Sequence, residues 1–217
     1  MKVLVLILIA VFSYTLGSMN GAIVVSRMKF RRDVRNYGSH NAGLTNFHRT
    51  FGLSGAVAVI AIDLGKAFIA CLLGGWLMGL LGYPMVGKIF AGFCVMLGHS
   101  YPVFFGFRGG KGALTGFGML LILDTRVALI CLTVFIVIIA TTRYVSLGSI
   151  LGSGCAPLAV WAFGYGGLEG TLTLLCWLLL VFQHRSNIGR LITGTEARLR
   201  MGKTPAEKVE EKFKGGF

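Results

Sequence analysis

Carboxylates are scarce in this chain: eight Asp and Glu stand against 21 Lys and Arg among 217 residues, a formal net charge of +13. So few acids, with no cluster of His, Cys and carboxylates, leave no set that would hold a metal, and no cofactor is expected. Cysteine is sparse too. Cys71, Cys94, Cys131, Cys155 and Cys176 all fall inside apolar runs with no Cys-x-x-Cys pair, so they read as small buried hydrophobes instead of disulfides or ligands. Charged residues make up only 13% of the chain while 55% are hydrophobic, and the mean hydropathy is +0.77. That balance excludes a soluble globular domain. The cationic surplus, which in a soluble protein would suggest nucleic acid, instead fits cytoplasmic loops of a membrane protein and a surface beside anionic headgroups.

Several apolar runs approach the roughly 20 residues that a helix needs to cross a bilayer. The spacing predicts helices over about 3–26, 53–81, 87–105, 113–123, 127–141, 149–163 and 171–182. The first resembles a signal peptide at its start. No Ala-x-Ala site follows, however, and Gly21-Ala22-Ile23-Val24-Val25 prolongs the apolar character, so it reads as a retained helix. With the N-terminus outside and seven crossings, 17 of the 21 Lys and Arg residues lie on the inner side. The expectation is an all-α polytopic membrane protein with seven transmembrane helices and a cytoplasmic C-terminus. Its fourth helix is short or re-entrant, and a five-helix count is the competitor. One membrane domain (1–195) precedes a charged tail (196–217), in which Thr204-Pro205-Ala206-Glu207 suits a helix start.

Three polar stretches face the inner side in that arrangement: 38–49, 106–112 and 184–196. In the second, Arg108-Gly109-Gly110-Lys111-Gly112 follows an apolar helix and precedes another. Glycine lets backbone N–H groups turn toward a guest, and the two cations add charge and donors, so this can be a phosphate cradle at a membrane surface. A glycine turn with two snorkelling cations is the other reading of the same residues. It is not a Walker A loop, because Phe105 stands five residues before Gly110 and Gly112 follows Lys111. No Gly-x-Ser-x-Gly elbow is present, and none of the four histidines has an Asp five residues on. The inner face offers Ser39, Asn41, Thr45, Asn46, Arg49, Arg108, Lys111, Arg143, Ser146, Ser149, His184, Asn187 and Arg190, donors and cations suited to anion binding and to stabilising developing negative charge. Asp63 and Lys66 sit three residues apart on one helix face and read as a structural ion pair. For His99, helix capping is the expectation.

Gly38-Ser39-His40-Asn41-Ala42-Gly43-Leu44-Thr45-Asn46-x-x-Arg49, the Gly98–Thr115 stretch, and His184-Arg185-x-Asn187-Ile188-x-Arg190-Leu191-x-x-Gly194-x-Glu196 resemble the three motifs of the bacterial acyl-phosphate:glycerol-3-phosphate acyltransferase family, of PlsY type. The likeness extends to Asp63-x-x-Lys66 and Arg143-x-x-Ser146-x-x-Ser149. It departs at His40, Ala42, Leu44, Arg108 and Ala113-Leu114, where other residues are commoner.

The resemblance implies a multi-pass enzyme of the bacterial inner membrane with its site facing the cytoplasm. It would acylate the 1-hydroxyl of glycerol 3-phosphate from a long-chain acyl phosphate, giving lysophosphatidic acid and inorganic phosphate at the entry to phospholipid synthesis. It implies essential roles for Ser39 and Arg49, a glycerol-3-phosphate loop of Gly109, Gly110, Lys111 and Gly112, and substrate orientation by His184 and Asn187. Together with the inner-face donors, this makes Ser39, Arg49, Lys111, His184 and Asn187 the expected catalytic residues, and Asn41, Thr45, Asn46, Arg108, Gly109, Gly110, Gly112 and Ser146 the expected phosphate contacts. Asp63, Lys66 and Glu196 would be structural. The partners expected are the two substrates and membrane lipids, with no nucleic acid and no obligate protein. A small transporter of a phosphorylated solute is the alternative, and a lipid-binding structural subunit a third.

Overall fold

The computed structural model describes residues 1–199, so the helix start expected at Thr204 and nearly all of the charged tail lie outside the described residues. Among those residues the fold is entirely helical. In chain order the helices are α1 (Lys2–Gly17), α2 (Gly21–Phe30), α3 (Leu44–Phe51), α4 (Leu53–Gly79), α5 (Pro84–Ser100), α6 (Ala113–Leu123), α7 (Thr125–Thr142), α8 (Val145–Ala162), α9 (Gly167–Gln183) and α10 (Arg185–Ile192). Short 3-10 turns sit at Val34–Asn36 and Val103–Phe105.

Among the described residues, five stretches are long and apolar enough to cross a membrane: Lys2–Phe30, α4, Pro84–Phe105, α7 and α8. The bent pair α9–α10, broken by 59°, makes a sixth if it is one span. At 11 residues α6 is about 16 Å long, roughly half of a bilayer's hydrocarbon core, which matches the short fourth helix expected from sequence. Around the bundle, large apolar side chains such as Val57, Leu72, Trp76, Ile136, Leu158 and Trp161 stand exposed. Hydrocarbon, not water, is the solvent that such a surface suits.

The first span is not the continuous helix that its apolar run suggests. It breaks at Ser18–Asn20, where Asn20 restarts the chain as α2 by accepting from the Ile23 N–H at 3.1 Å. Two carbonyls left over at the break, those of Gly17 and Met19, accept from the Lys66 ammonium of α4 at 3.1 and 3.2 Å. Lys66 also lies 2.7 Å from Asp63 Oδ1 and 3.0 Å from His99 Nδ1, and Asp63 accepts from the Gly21 N–H at 3.1 Å. The expected Asp63–Lys66 pair is therefore there, but its work is wider: it knots a broken helix to its neighbours. His99 joins that knot instead of capping α5.

The wall that matters for function is formed by α6, α7, α8 and α9, with α5 behind them; their buried faces share one apolar cluster that includes Met96, Met119, Leu120, Cys131, Ala156 and Cys176. A second cluster, around Ile23, Phe47, Phe51 and Val59, packs the amphipathic α3 against α2 and α4. It holds the first polar stretch over the end of the bundle.

Candidate active site

The first polar stretch is folded on a single amide. Asn46, 2% exposed, donates from Nδ2 toward the carbonyls of Val34, Tyr37 and Asn41 at 3.0–3.2 Å. Its Oδ1 accepts from the Ser39 N–H at 2.9 Å. Gly38, at φ +59°, has Asn46 Oδ1 where a Cβ would stand, at 2.3 Å. Any side chain there would displace the amide. Asn46 was expected to hold substrate phosphate; with its amide spent on the loop, it positions Ser39 instead.

Arg35 ties this loop to the glycine-rich one. Its guanidinium donates to Asp33 at 2.8 Å and, across the interface, to the carbonyls of Phe105 and Arg108 at 2.6 and 3.0 Å. The Arg35 guanidinium beside Asp33 holds that carboxyl well below the usual carboxylate range. This strut was not identified from sequence, because Arg35 looked like one more cation in a basic run.

The glycine-rich loop is built differently from the cradle that its composition suggests. The Gly109 N–H donates to the Ser100 carbonyl at 3.1 Å and the Gly110 N–H to the His99 carbonyl at 3.0 Å. A Cβ on Gly109 would lie 2.0 Å from the His99 carbonyl oxygen, and one on Gly110 2.2 Å from His99 Nε2. These glycines let two backbones touch; their donors are not available to a guest. Arg108 is exposed and lies outside the cavity wall, with its carbonyl held by Arg35. The expected phosphate contacts of Gly109, Gly110 and Arg108 are thus replaced by one consequence of this packing, the placement of Lys111. Gly112, at φ +80°, starts α6 and lines the cavity beside it.

That cavity, of about 750 Å³, opens between the three polar stretches and runs down among α6–α9. Its polar end brings together Ser39, Asn41, Thr45, Arg49, Lys111, Ser146, His184 and Asn187, which come from distant parts of the chain. Lys111 donates to Asn187 Oδ1. Asn187 in turn donates to Glu196 Oε1 at 2.6 Å, where Ser146 Oγ also donates at 2.7 Å, while Arg190 Nε donates to Glu196 Oε2 at 2.7 Å. Burial would raise the Glu196 pKa, but the bonds from Ser146, Asn187 and Arg190 hold it below its ordinary value. Glu196 is thereby a wall of the site, tying the 194–199 segment to α8 and α10. The third motif's resemblance already implied a structural role for Glu196.

Burial pushes the Lys111 ammonium down to about 8; Glu196 opposes this, while Arg190 and Arg49 add to it. Arg49 is exposed at the cavity and has no hydrogen-bond or ion-pair partner among the described residues. The hydroxyls of Ser39 and Thr45 and the Asn41 amide are likewise free there. His184 lies past the end of α9, with its Nδ1 2.8 Å from the Leu180 carbonyl. A carbonyl only accepts, so Nδ1 carries the proton and Nε2 is left as an acceptor. Burial first, and then the Lys111 charge, lower the His184 pKa to about 4, which keeps that acceptor neutral. The polar end is thus two cations without adequate counter-charge, several free donors and one neutral imidazole, a set suited to anionic oxygens.

Below this end the walls are apolar, with Leu114, Phe117, Leu120, Leu132, Phe135 and Leu180 among them. These residues lie on three separate apolar helices, so their convergence on one wall is not visible in the sequence.

A family model described as glycerol-3-phosphate acyltransferase matches residues 7–194 of the chain. Glycerol-3-phosphate acyltransferase of Thermoanaerobacter pseudethanolicus is 41% identical over 193 residues, covering 89% of this chain and 95% of that protein. That of Finegoldia magna is 38% identical over 202 residues, covering 92% and 98%. The crystal structure of PlsY, an integral membrane glycerol 3-phosphate acyltransferase, in its glycerol 3-phosphate form superposes with a TM-score of 0.81 at 34% identity, covering 96% of this chain and 98% of that one. Its lysophosphatidic acid form gives a TM-score of 0.79, covering 90% and 95%.

Proposed function

This chain belongs to the glycerol-3-phosphate acyltransferase family of integral membrane enzymes, and on that premise we propose that its acyl donor is a long-chain acyl phosphate. One observation carries the reading: a single cavity has unpaired cations at one end and an apolar barrel at the other. Acyl phosphate has that same polarity, and glycerol 3-phosphate brings a second anion to the cationic end. The relatives' substrate and product, glycerol 3-phosphate and lysophosphatidic acid, come to this chain on the same grounds.

The chemistry asks little of an acid or base. Acyl phosphate is a mixed anhydride whose leaving group is already good, so the barrier lies in bringing two anions together and in stabilising the tetrahedral oxyanion. Arg49 and Lys111 neutralise the phosphates, and the hydroxyls and amides of Ser39, Asn41, Thr45 and Asn187 orient them. The 1-hydroxyl of glycerol 3-phosphate attacks the acyl carbon, forming the ester C–O bond. The bond from that carbon to the phosphate oxygen breaks, and inorganic phosphate departs with the electron pair. The hydroxyl proton passes to the leaving phosphate or to His184 Nε2.

The distribution of Lys and Arg supports a topology in which the first span, α4, α5, the short α6, α7, α8 and α9 make seven crossings. The N-terminus is then outside, and the polar end of the cavity faces the cytoplasm at the inner membrane.

The test is to incubate membranes containing the protein with labelled glycerol 3-phosphate and palmitoyl phosphate, and in parallel with palmitoyl-CoA. Lysophosphatidic acid formed only from the phosphate is the expected result. Product from the thioester alone removes the proposed donor. Label trapped in sealed vesicles without product would indicate transport.

A further inference from the structure

We propose that the apolar part of the cavity has a solid floor, and that Ala156 and Thr173 at this floor set the longest acyl chain the enzyme accepts. The proposal rests on the acyl-transfer reading above.

The lining residues fall into helical stripes. On α8, after Val145 at its start, they are Ser146, Ser149, Ser153 and Ala156, at i, i+3, i+7 and i+10. On α9 and its C-cap they are His184, Leu180, Trp177, Cys176 and Thr173, a helical spacing read backwards. Each stripe then stops, although its helix continues. The next residues on the same faces, Val160 on α8, Leu123 on α6, and Val127 and Ala128 on α7, are 0–4% exposed and belong to one close-packed cluster. The cavity therefore ends on a plug of packed side chains, not in lipid. From Ser146 to Ala156 is ten residues and from His184 to Thr173 eleven, so both walls give a depth of about 15–16 Å.

The walls are apolar although three of their residues carry hydroxyls. Ser149 Oγ donates back to the Val145 carbonyl at 3.0 Å, Ser153 Oγ to Ser149 at 2.6 Å, and Thr173 Oγ1 to Glu169 at 2.8 Å. Their protons are spent inside their own helices, leaving none for a guest. Trp177 is pinned as well, its indole N–H donating to the Ile150 carbonyl at 3.0 Å.

An extended hydrocarbon with C–C bonds of about 1.5 Å and angles near 111° advances ~1.25 Å per carbon. A depth of about 15–16 Å takes some 12 or 13 carbons. With the carbonyl and the first carbons in the polar end, the limit falls at roughly 14–16 carbons in all.

The experiment measures turnover with acyl phosphates of 8 to 20 carbons. The wild type should hold its rate to about 14–16 carbons and lose at least about tenfold by 20, the drop set by the depth of the floor. In Ala156→Leu the fall should come two to four carbons earlier, and in Thr173→Ala it should move outward. A flat profile in the wild type, or an unmoved fall in both variants, overturns the proposal.

A second measurement needs no donor and uses Trp177 as the sole tryptophan, in a Trp76→Phe/Trp161→Phe protein. Lysophosphatidates brominated near mid-chain should quench it, and Ala156→Leu should abolish quenching by 16-carbon chains while sparing 10-carbon ones. If no acyl phosphate reacts, the proposed donor fails, and this quenching pattern alone decides the floor.

Discussion

Two clusters of ionisable groups stand close together in this protein and do opposite things with the same residue type. In the knot at the break of the first span, the Lys66 ammonium has four partners: Asp63, the carbonyls of Gly17 and Met19, and His99. A lysine has three protons to give, so Lys66 is saturated. At the mouth of the cavity, Lys111 donates to one neutral amide and Arg49 to nothing among the described residues. A buried cation with every proton spoken for is structural. Cations held near one another without counter-ions cost stability, and that cost is explained by a ligand that supplies the negative charge.

Removing one partner from each cluster separates the two roles most strongly. Asp63→Ala leaves Lys66 buried and uncompensated, which costs about 3–5 kcal/mol. The expected outcome is a large fall in melting temperature in detergent, with activity lost only as folded protein is lost. Asp63→Leu combined with Lys66→Met should recover part of that stability, since no unpaired charge remains. A melting temperature unchanged in Asp63→Ala would mean that the knot does not hold the helix break.

Arg49→Ala should do the reverse. With no partner to orphan, its melting temperature should stay at the wild-type value while turnover falls roughly 100- to 1,000-fold, the usual loss when one charge-stabilising donor is removed. Lys111→Ala should match it in turnover. Near-normal turnover in either variant would place the phosphates elsewhere.

The comparison also explains what could be read from the residues alone. Arg49, Lys111, Ser39, His184 and Asn187 were legible because donors and cations without acids are unusual in a membrane protein, and the structure brings all five to one cavity. The roles of Gly109, Gly110 and Asn46 were not. Whether a glycine N–H faces a guest or the carbonyl of Ser100 depends on the path of α5, which composition does not encode. Nor was the helix break, because Gly17-Ser18-Met19-Asn20-Gly21 interrupts the apolar run only briefly and the group that stabilises the break, Lys66, lies more than forty positions away. The acyl barrel was hidden for a third reason. Its stripe of Ser146, Ser149, Ser153 and Ala156 looks like a small-residue helix contact, and only the space enclosed among α6, α7, α8 and α9 makes it a wall.

The smallest difference between the two lysines is expected in their response to pH. Lys111 titrates at about 8 instead of 10.5, so it is charged at neutrality and loses its proton as pH rises through 8. A bound phosphate favours the charged form, so by linkage the affinity for glycerol 3-phosphate must fall over the same range. Below pH ~6 the substrate phosphate itself gains a proton and binds more weakly. KM for glycerol 3-phosphate should therefore be lowest between about pH 6 and 8 and rise about tenfold per unit well above 8. The stability sign is opposite: between 8 and 10.5 the unfolded chain holds this proton and the folded one does not, so this group makes the protein more stable as pH rises. Lys111→Arg keeps its charge throughout and should remove the alkaline rise in KM. Lys66, its protons all held by the knot, should leave that limb in place when changed to Met in any preparation that remains folded. If the Lys66→Met protein loses the limb and Lys111→Arg keeps it, the two lysines have been assigned the wrong way round.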